Sequence, residues 1–287
     1  MTTRPIPWSA RVQLGHAAIQ RLAEATDTDV LHVKGFALDD ALIWPGREGS
    51  DADVLVRPAH LRRFVAELHK AEWERAIGFD QGSSFGHSLA LRHDNWGNAD
   101  VHRFFPGLGP DPAASFDVLW RDRRVHEIAG VPCPVPNLAG QALILILHAG
   151  RTHDDARADS DLQSAWTDAE EGLRADVQRL VTELGAEVGF AAATGQLERY
   201  RDRPDYLLWK VASQGGTRFE EWRGRIRAAG SPQAALRLAL RAPLVNVEHL
   251  SEVLGRRPTF AEIVAEFFRR PVKAILEQVG LWRSGRR

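Results

Sequence analysis

The feature that most limits how this chain can fold is a change of pattern at Asn137. Before it, apolar residues come in short runs or alternate with polar ones. Examples are residues 29–33, "ADVLV" at 52–56, "HSLALR" and "ADVHRF" around the turn-like "HDNWGN", and the pair "RRVHEIAG" and "VPCPV". Such segments, bounded by Gly, Pro, Asn and Asp, read as strands. Helical spacing intervenes at Val12, Leu14, Ala18, Ile19 and Leu22, and again at Leu61, Phe64, Val65 and Leu68 after Pro58. "FALDDALIW" reads as one to two helical turns and "PGREGS" as a loop. After Asn137 only helical spacing continues, over 138–151, 158–166, 170–185, 187–197, 203–213, 217–229, 231–241, 246–254 and 258–279. The order predicts an α/β domain over 1–136 and an all-helical domain over 137–287 that closes a substrate cleft.

Composition removes several function classes. The formal net charge is −1, so no global field recruits nucleic acid or membrane. A basic end, with eight basic against three acidic residues from Gly255 to Arg287, keeps a short RNA end open as a partner, although a solvated helix end is the favoured reading of it. The single cysteine, Cys133 between Pro132 and Pro134, excludes an intrachain disulfide and a cysteine metal cluster. The longest apolar run, "ALILILHA" at 142–149, is far short of a membrane span, and the N-terminus lacks a signal-like apolar core. A cytoplasmic protein with no membrane partner is expected.

Two carboxylates, Asp51 and Asp53, stand where the strand "ADVLV" begins, a poor start for a hydrophobic element. Alternation places them on one face, where like charges repel unless a cation sits between them. Mg²⁺ accepts one or two carboxylates together with substrate phosphates. "NADVHRF" offers Asp100 and His102, again on a common face. If its strand lies beside the first, Asp100 completes a three-carboxylate cluster able to hold two metals about 4 Å apart. An Asp-x-Asp pair also serves as a turn or cap device. The surroundings favour the metal: Lys34-Gly35 leads into a helix-like start suited to phosphate, and Arg47 lies four residues before the pair.

The stretch "KGFALDDALIWPGREGSDADVLVRPAHLRRFVAELHKAEWE" resembles the uncharacterised nucleotidyltransferase family of the polymerase-β-like nucleotidyltransferase superfamily. Lys34-Gly35, Arg47, Asp51, Asp53 and Trp73 stand in the places of that family's pattern; His87 and "ADVHRF" match its later His and strand, and the similarity runs over residues 28–166. The small Ala52 between the aspartates and the position of Phe104 depart from it. The resemblance implies a mixed-sheet nucleotidyltransferase fold, and transfer of a nucleoside monophosphate from an NTP to a hydroxyl-bearing acceptor. That acceptor is a small molecule, a peptide, a protein or a tRNA end. It implies Mg²⁺ or Mn²⁺ on Asp51, Asp53 and Asp100, with Asp100 also acting on the acceptor hydroxyl. Lys34, Gly35, Arg47 and Ser50 would hold the nucleotide and its phosphates, with His102 and His87 as accessory residues. A nucleotide- or partner-binding module that kept the fold without turnover is the alternative.

A second polar cluster, "HAGRTHDDARADSD", holds His148, His153, Asp154, Asp155, Asp159 and Asp161 within one continuous segment. His148 and His153 sit at an awkward angle for a shared ion, so metal-dependent hydrolysis is not expected there. Arg151, His153 or Asp161 facing a cleft is one reading; polar helix ends are the other. Of the nine tryptophans, Trp96 at the turn tip is the one placed to cover a substrate.

Overall fold

A computed structural model of the chain describes residues 6–79 and 83–241, together with 256, 258, 259 and 262. The helix expected over 246–254, and all of that over 258–279 except residues 258, 259 and 262, therefore lie outside the described residues. The chain divides into two compact units between Gln196 and Leu197.

The first unit is built on a five-stranded sheet. Its strands are β1 (Val30–His32), β2 (Ala52–Val56), β3 (Glu74–Ile77), β4 (Ser88–His93) and β5 (Gly97–His102), in the order β1-β2-β5-β4-β3. β2 and β5 run parallel and every other neighbouring pair is antiparallel, so the sheet is mixed. A parallel pair needs a crossover, and the chain between β2 and β5 supplies α2 (Leu61–Lys70) along with the β3–β4 strands. β3 was not expected from the sequence: "ERAI" is largely exposed and lacks alternation, as an edge strand does.

One face of the sheet is the core. Ala52, Val54, Val56, Leu89, Leu91, Ala99 and Val101 pack against Ile19 and Ala23 of α1 (Trp8–Ala25), Phe64 and Leu68 of α2, and Trp73. Each large side chain fully buried here contributes about 1.5–3 kcal/mol. Trp96, at the β4–β5 turn, packs against this cluster and stacks on His93, so its indole has a structural seat. Since β2 buries this face through alternate residues, Asp53 must point to the other.

The change of pattern at residue 137 has a local cause. Asn137 caps α4 (Leu138–Ala149), its side-chain oxygen accepting from the Gly140 amide at 2.8 Å. Before it lie α3 (Pro112–Arg121) and a separate two-stranded hairpin, β6 (Arg124–Ile128) with β7 (Val131–Val135). After it come α5 (Ala156–Leu162), continued by a wide π turn over Gln163–Thr167, then α6 (Glu171–Glu183) and α7 (Glu187–Ala193). α4 is buried along nearly its whole length. No helix among the described residues is long and apolar enough to cross a membrane. In the second unit, α8 (Tyr206–Gln214), α9 (Arg218–Arg227) and α10 (Pro232–Arg241) follow one another, with a Thr217–Glu220 capping box opening α9.

On the core side of the sheet, α1 and β1 share a buried polar chain. Gln20 donates to the Glu24 carboxylate (3.1 Å) and its oxygen takes the His32 Nε2 proton (3.0 Å). His32 Nδ1 is then an acceptor, so His16 must donate to it from Nδ1 (2.8 Å). Both rings are neutral: burial lowers His16 to about 4 and drives His32 well below the usual imidazole range. His87, His102 and His148 are depressed for the same leading reason.

Depressed histidine values fix the sign of the acid response. Above about pH 6.5 both folded and unfolded chains hold neutral imidazoles. Below it the unfolded chain takes up protons that the folded one refuses, down to about pH 4 for His16. Stability is therefore fully present above pH 6.5 and falls with acidification, by about 1.4 kcal/mol per pH unit for each such histidine. Urea midpoints taken between pH 7.5 and pH 5 should drop accordingly. A His16→Gln/His32→Gln double variant should show a visibly flatter slope; an identical slope would refute the assignment.

Candidate active site

The face of the sheet opposite the core carries the charges. Register pairs Asp53 with Asp100 and Leu55 with His102 across the parallel β2–β5 pair. One ligand atom each from Asp53, Asp100 and His102 lies within 4.8 Å of the others. Asp51 stands one residue before β2, on the more open side, with Ser50 donating to its carboxylate at 2.7 Å. Sequence spacing thus brought Asp53 and Asp100 together as expected. His102, rather than Asp51, is the third member of the tight group.

Asp53 is 3% exposed and is met by two donors at the same oxygen: Lys34 Nζ at 2.7 Å and His102 Nε2 at 2.7 Å. His102 is fully buried and held neutral, above all by burial, so it carries its proton on Nε2 and gives it to Asp53. Its Nδ1 has no partner among the described residues. His87 lies beside it, ring centroids 5.2 Å apart, and its own Nδ1 is likewise unpartnered.

The carboxylates disturb one another. Asp100 is raised to about 7, first by burial, then by the charges of Asp53 and Asp51. Asp51 is raised chiefly by Asp53. Hard oxygen donors that hold each other's protons on are groups short of positive charge, and this donor set fits a divalent cation of the Mg²⁺ or Mn²⁺ kind. Asp53 and Asp100 are the pair that would hold it, with Asp51 beside the opening.

Lys34 reaches this centre at a conformational expense. Its backbone lies at φ 60°, ψ −177°, a region almost confined to glycine, and Gly35 follows at φ 52°. Gly35–Ala37 is a single 3₁₀ turn and not the helix start anticipated from the sequence, so this segment brings no helix dipole to the site. What Lys34-Gly35 contributes is the ammonium and a turn at positive φ that suits glycine at position 35.

Arg47 has a different partner from the one its place in the sequence suggests. Its guanidinium forks onto Asp161 (2.7 and 3.0 Å), and Trp44 Nε1 donates to the same carboxylate (2.8 Å). Asp161 is 2% exposed, so this is a buried bidentate pair joining the loop after β1 to α5. Gln141 of α4 and Ser164 reinforce it by bonding the Asp39 amide and the Leu42 carbonyl. His153 is part-exposed and paired with Asp154. Trp8, from α1, donates to the Ser50 carbonyl at 3.1 Å and so steadies the residue before Asp51; nothing in the sequence pattern pointed to it.

No protein-family model and no curated protein matches this chain. Solved structures with a weak likeness include the lincosamide antibiotic adenylyltransferase LnuA in its lincomycin-bound form. It is 15% identical with a TM-score of 0.35, covering 59% of this chain and 96% of that one. The antibiotic-resistance factor ANT(2'')-Ia is 13% identical with a TM-score of 0.39, covering 68% and 95%. An antigenic nucleotidyltransferase-like protein from Paracoccidioides brasiliensis is 14% identical with a TM-score of 0.37, covering 68% and 96%. At such values the likeness carries no inference about activity, which must stand on the carboxylates and cations themselves.

Removing one side of the Arg47–Asp161 pair strands a buried charge. Asp161→Ala should cost about 3–5 kcal/mol in urea denaturation, and Arg47→Met/Asp161→Leu should recover most of it. A single-variant loss below about 1 kcal/mol would show the pair to be idle.

Proposed function

We propose that this chain is a divalent-metal-dependent nucleotidyltransferase that moves a nucleoside monophosphate from an NTP to a hydroxyl-bearing acceptor. The observation that carries the reading is Asp53 set opposite Asp100 on adjacent parallel strands, with Lys34 against the first. The resemblance of "KGFALDDALIWPGREGSDADVLVRP" and "ADVHRF" to the polymerase-β-like superfamily points the same way. When bound, Mg²⁺ or Mn²⁺ supplies charge neutralisation on the triphosphate and lowers the acceptor hydroxyl's hold on its proton.

The chain's own residues do the rest. Asp53, fixed by His102, and Asp51 beside it present oxygens to the cation. Asp100 receives the proton as the acceptor oxygen bonds to the α-phosphorus. The bond to the β-phosphate bridging oxygen breaks, and pyrophosphate leaves with the electron pair. Lys34 meets phosphate as a point charge once its hold on Asp53 is exchanged. His102 is a positioning residue: its hydrogen bond holds the Asp53 carboxylate aimed. The acceptor is a small molecule, peptide or protein, or a short RNA end, and the protein works in the cytoplasm.

Incubation with each α-labelled NTP, Mg²⁺ or Mn²⁺ and cell extract should transfer label to an acceptor, with release of pyrophosphate. Asp53→Asn and Asp100→Asn should each lower the rate by at least about a hundredfold and weaken Mn²⁺ binding measured by calorimetry. NTP binding with no pyrophosphate released under any metal or acceptor would instead identify a binding module of the same fold. Unchanged Mn²⁺ affinity in both variants would sink the metal assignment.

A further inference from the structure

Arg151 is a strong cation near the carboxylates whose Nε has no partner among the described residues. No hydrogen bond or ion pair to its guanidinium occurs among the described residues, and its Nε is buried without a partner. Its Cζ lies over the Phe105 ring, 5.5 Å from the centroid. Burial depresses it to about 10, against the pull of Asp53 and Asp100, which are close enough to raise it but make no bond to it. An arginine taken out of water without a carboxylate is an unfavourable arrangement unless an anion completes it.

Its position is built, not incidental. Arg151 follows Gly150 at the end of α4, and a Cβ on Gly150 would sit 2.7 Å from the Gly189 carbonyl and 3.0 Å from the Ala193 amide. Only glycine lets the chain press against α7 at this point and turn Arg151 toward the sheet. Around it the unpartnered polar atoms continue: His148 Nδ1, His87 Nδ1 and His102 Nδ1. His87 is 3% exposed and His102 is fully buried, so bulk water does not serve those nitrogens. Each of the three imidazoles feels Lys34 and Arg151 as charges that lower it further after burial, so they report a positive local potential.

We infer that Arg151, with His148 and Lys34, forms an anion pocket beside Asp53 and Asp100 that takes the β- and γ-phosphates of the nucleotide and the pyrophosphate they become. The inference rests on the nucleotidyltransferase reading for the identity of its ligand. The chemistry that recognises it is a polyphosphate. A guanidinium fork matches phosphate oxygens two at a time, and two separated cations demand a ligand with charge at more than one point. A carboxylate offers one such point. A ligand held by the carboxylates through a cation at one end and by Arg151 at the other must carry linked anionic groups.

Titration calorimetry with inorganic tripolyphosphate, in Mg²⁺ and separately in EDTA, tests the pocket on the whole chain. Wild type should bind it in both conditions. Arg151→Gln should weaken binding by at least about tenfold and Arg151→Lys by less, since a point charge replaces a fork. Monophosphate and acetate, each with a single anionic group, should show no dependence on residue 151. Tripolyphosphate affinity equal in wild type and Arg151→Gln, or absent in wild type, overturns the pocket. If Arg151→Gln does not fold by circular dichroism, Arg151→Lys carries the comparison, and equal affinity there has the same meaning. Arg151-dependent polyphosphate binding without nucleotide transfer would keep the pocket and remove the transferase. Transfer with an NTP affinity indifferent to residue 151 would do the reverse.

Discussion

The carboxylate of Asp53 is the group on which the centre of this protein depends. It is buried on the polar face of the sheet, takes a proton-bearing nitrogen from His102 and an ammonium from Lys34 on one oxygen, and still faces Asp100 across the strand pair. A carboxylate so placed is tolerable only with that company. The two donors meet the buried oxygen's need for hydrogen bonds and hold the carboxylate in place facing Asp100. Asp100 is less buried and has no such donor bonded to it among the described residues; burial and then the charges of Asp53 and Asp51 raise it to about 7, and the contrast gives neighbouring aspartates different chemical characters.

The two faces of the sheet handle polarity in different ways. Toward α1 and α2 the strands present aliphatic side chains, and the polar exception, His16 with His32 and Gln20, is wired neutral as far as Glu24, with His16 Nε2 left without a partner among the described residues. Toward α4 and the segment after it the polar atoms are left partly unsatisfied, at His87, His102, His148 and Arg151. A folded chain rarely leaves several such atoms idle in one place. Unsatisfied polar atoms are thus more numerous on the charged face than on the core face, where His16 Nε2 is the counterpart among the described residues.

Much of this was legible in the sequence, for reasons of period. Alternation in "ADVLV" and "ADVHRF" put Asp53, Asp100 and His102 on one side of whichever sheet they joined, and turn residues and Asn137 marked where strands stop and helices begin. Less was legible where partners are distant. Arg47 finds Asp161 across 114 positions, and no local pattern announces a buried pair of that span. Gly35 looked like the opening of a helix because its neighbours have helical spacing, whereas Lys34 and Gly35 at positive φ permit only a 3₁₀ turn. β3 escaped because an edge strand has little burial to impose alternation. Arg151 was visible as a residue near a possible cleft, but its lack of a counter-charge exists only in three dimensions.

The backbone of Lys34 has a consequence for anyone who would redesign this protein. At φ 60°, ψ −177° the comfortable residue is glycine, and a procedure that scores conformation and burial would make that exchange and gain stability. The gain would come from erasing the ammonium that Asp53 relies on. Position 34 is therefore a place where robustness and usefulness pull in opposite directions, and a lysine that endures an ill-fitting conformation there marks which of the two has governed the sequence.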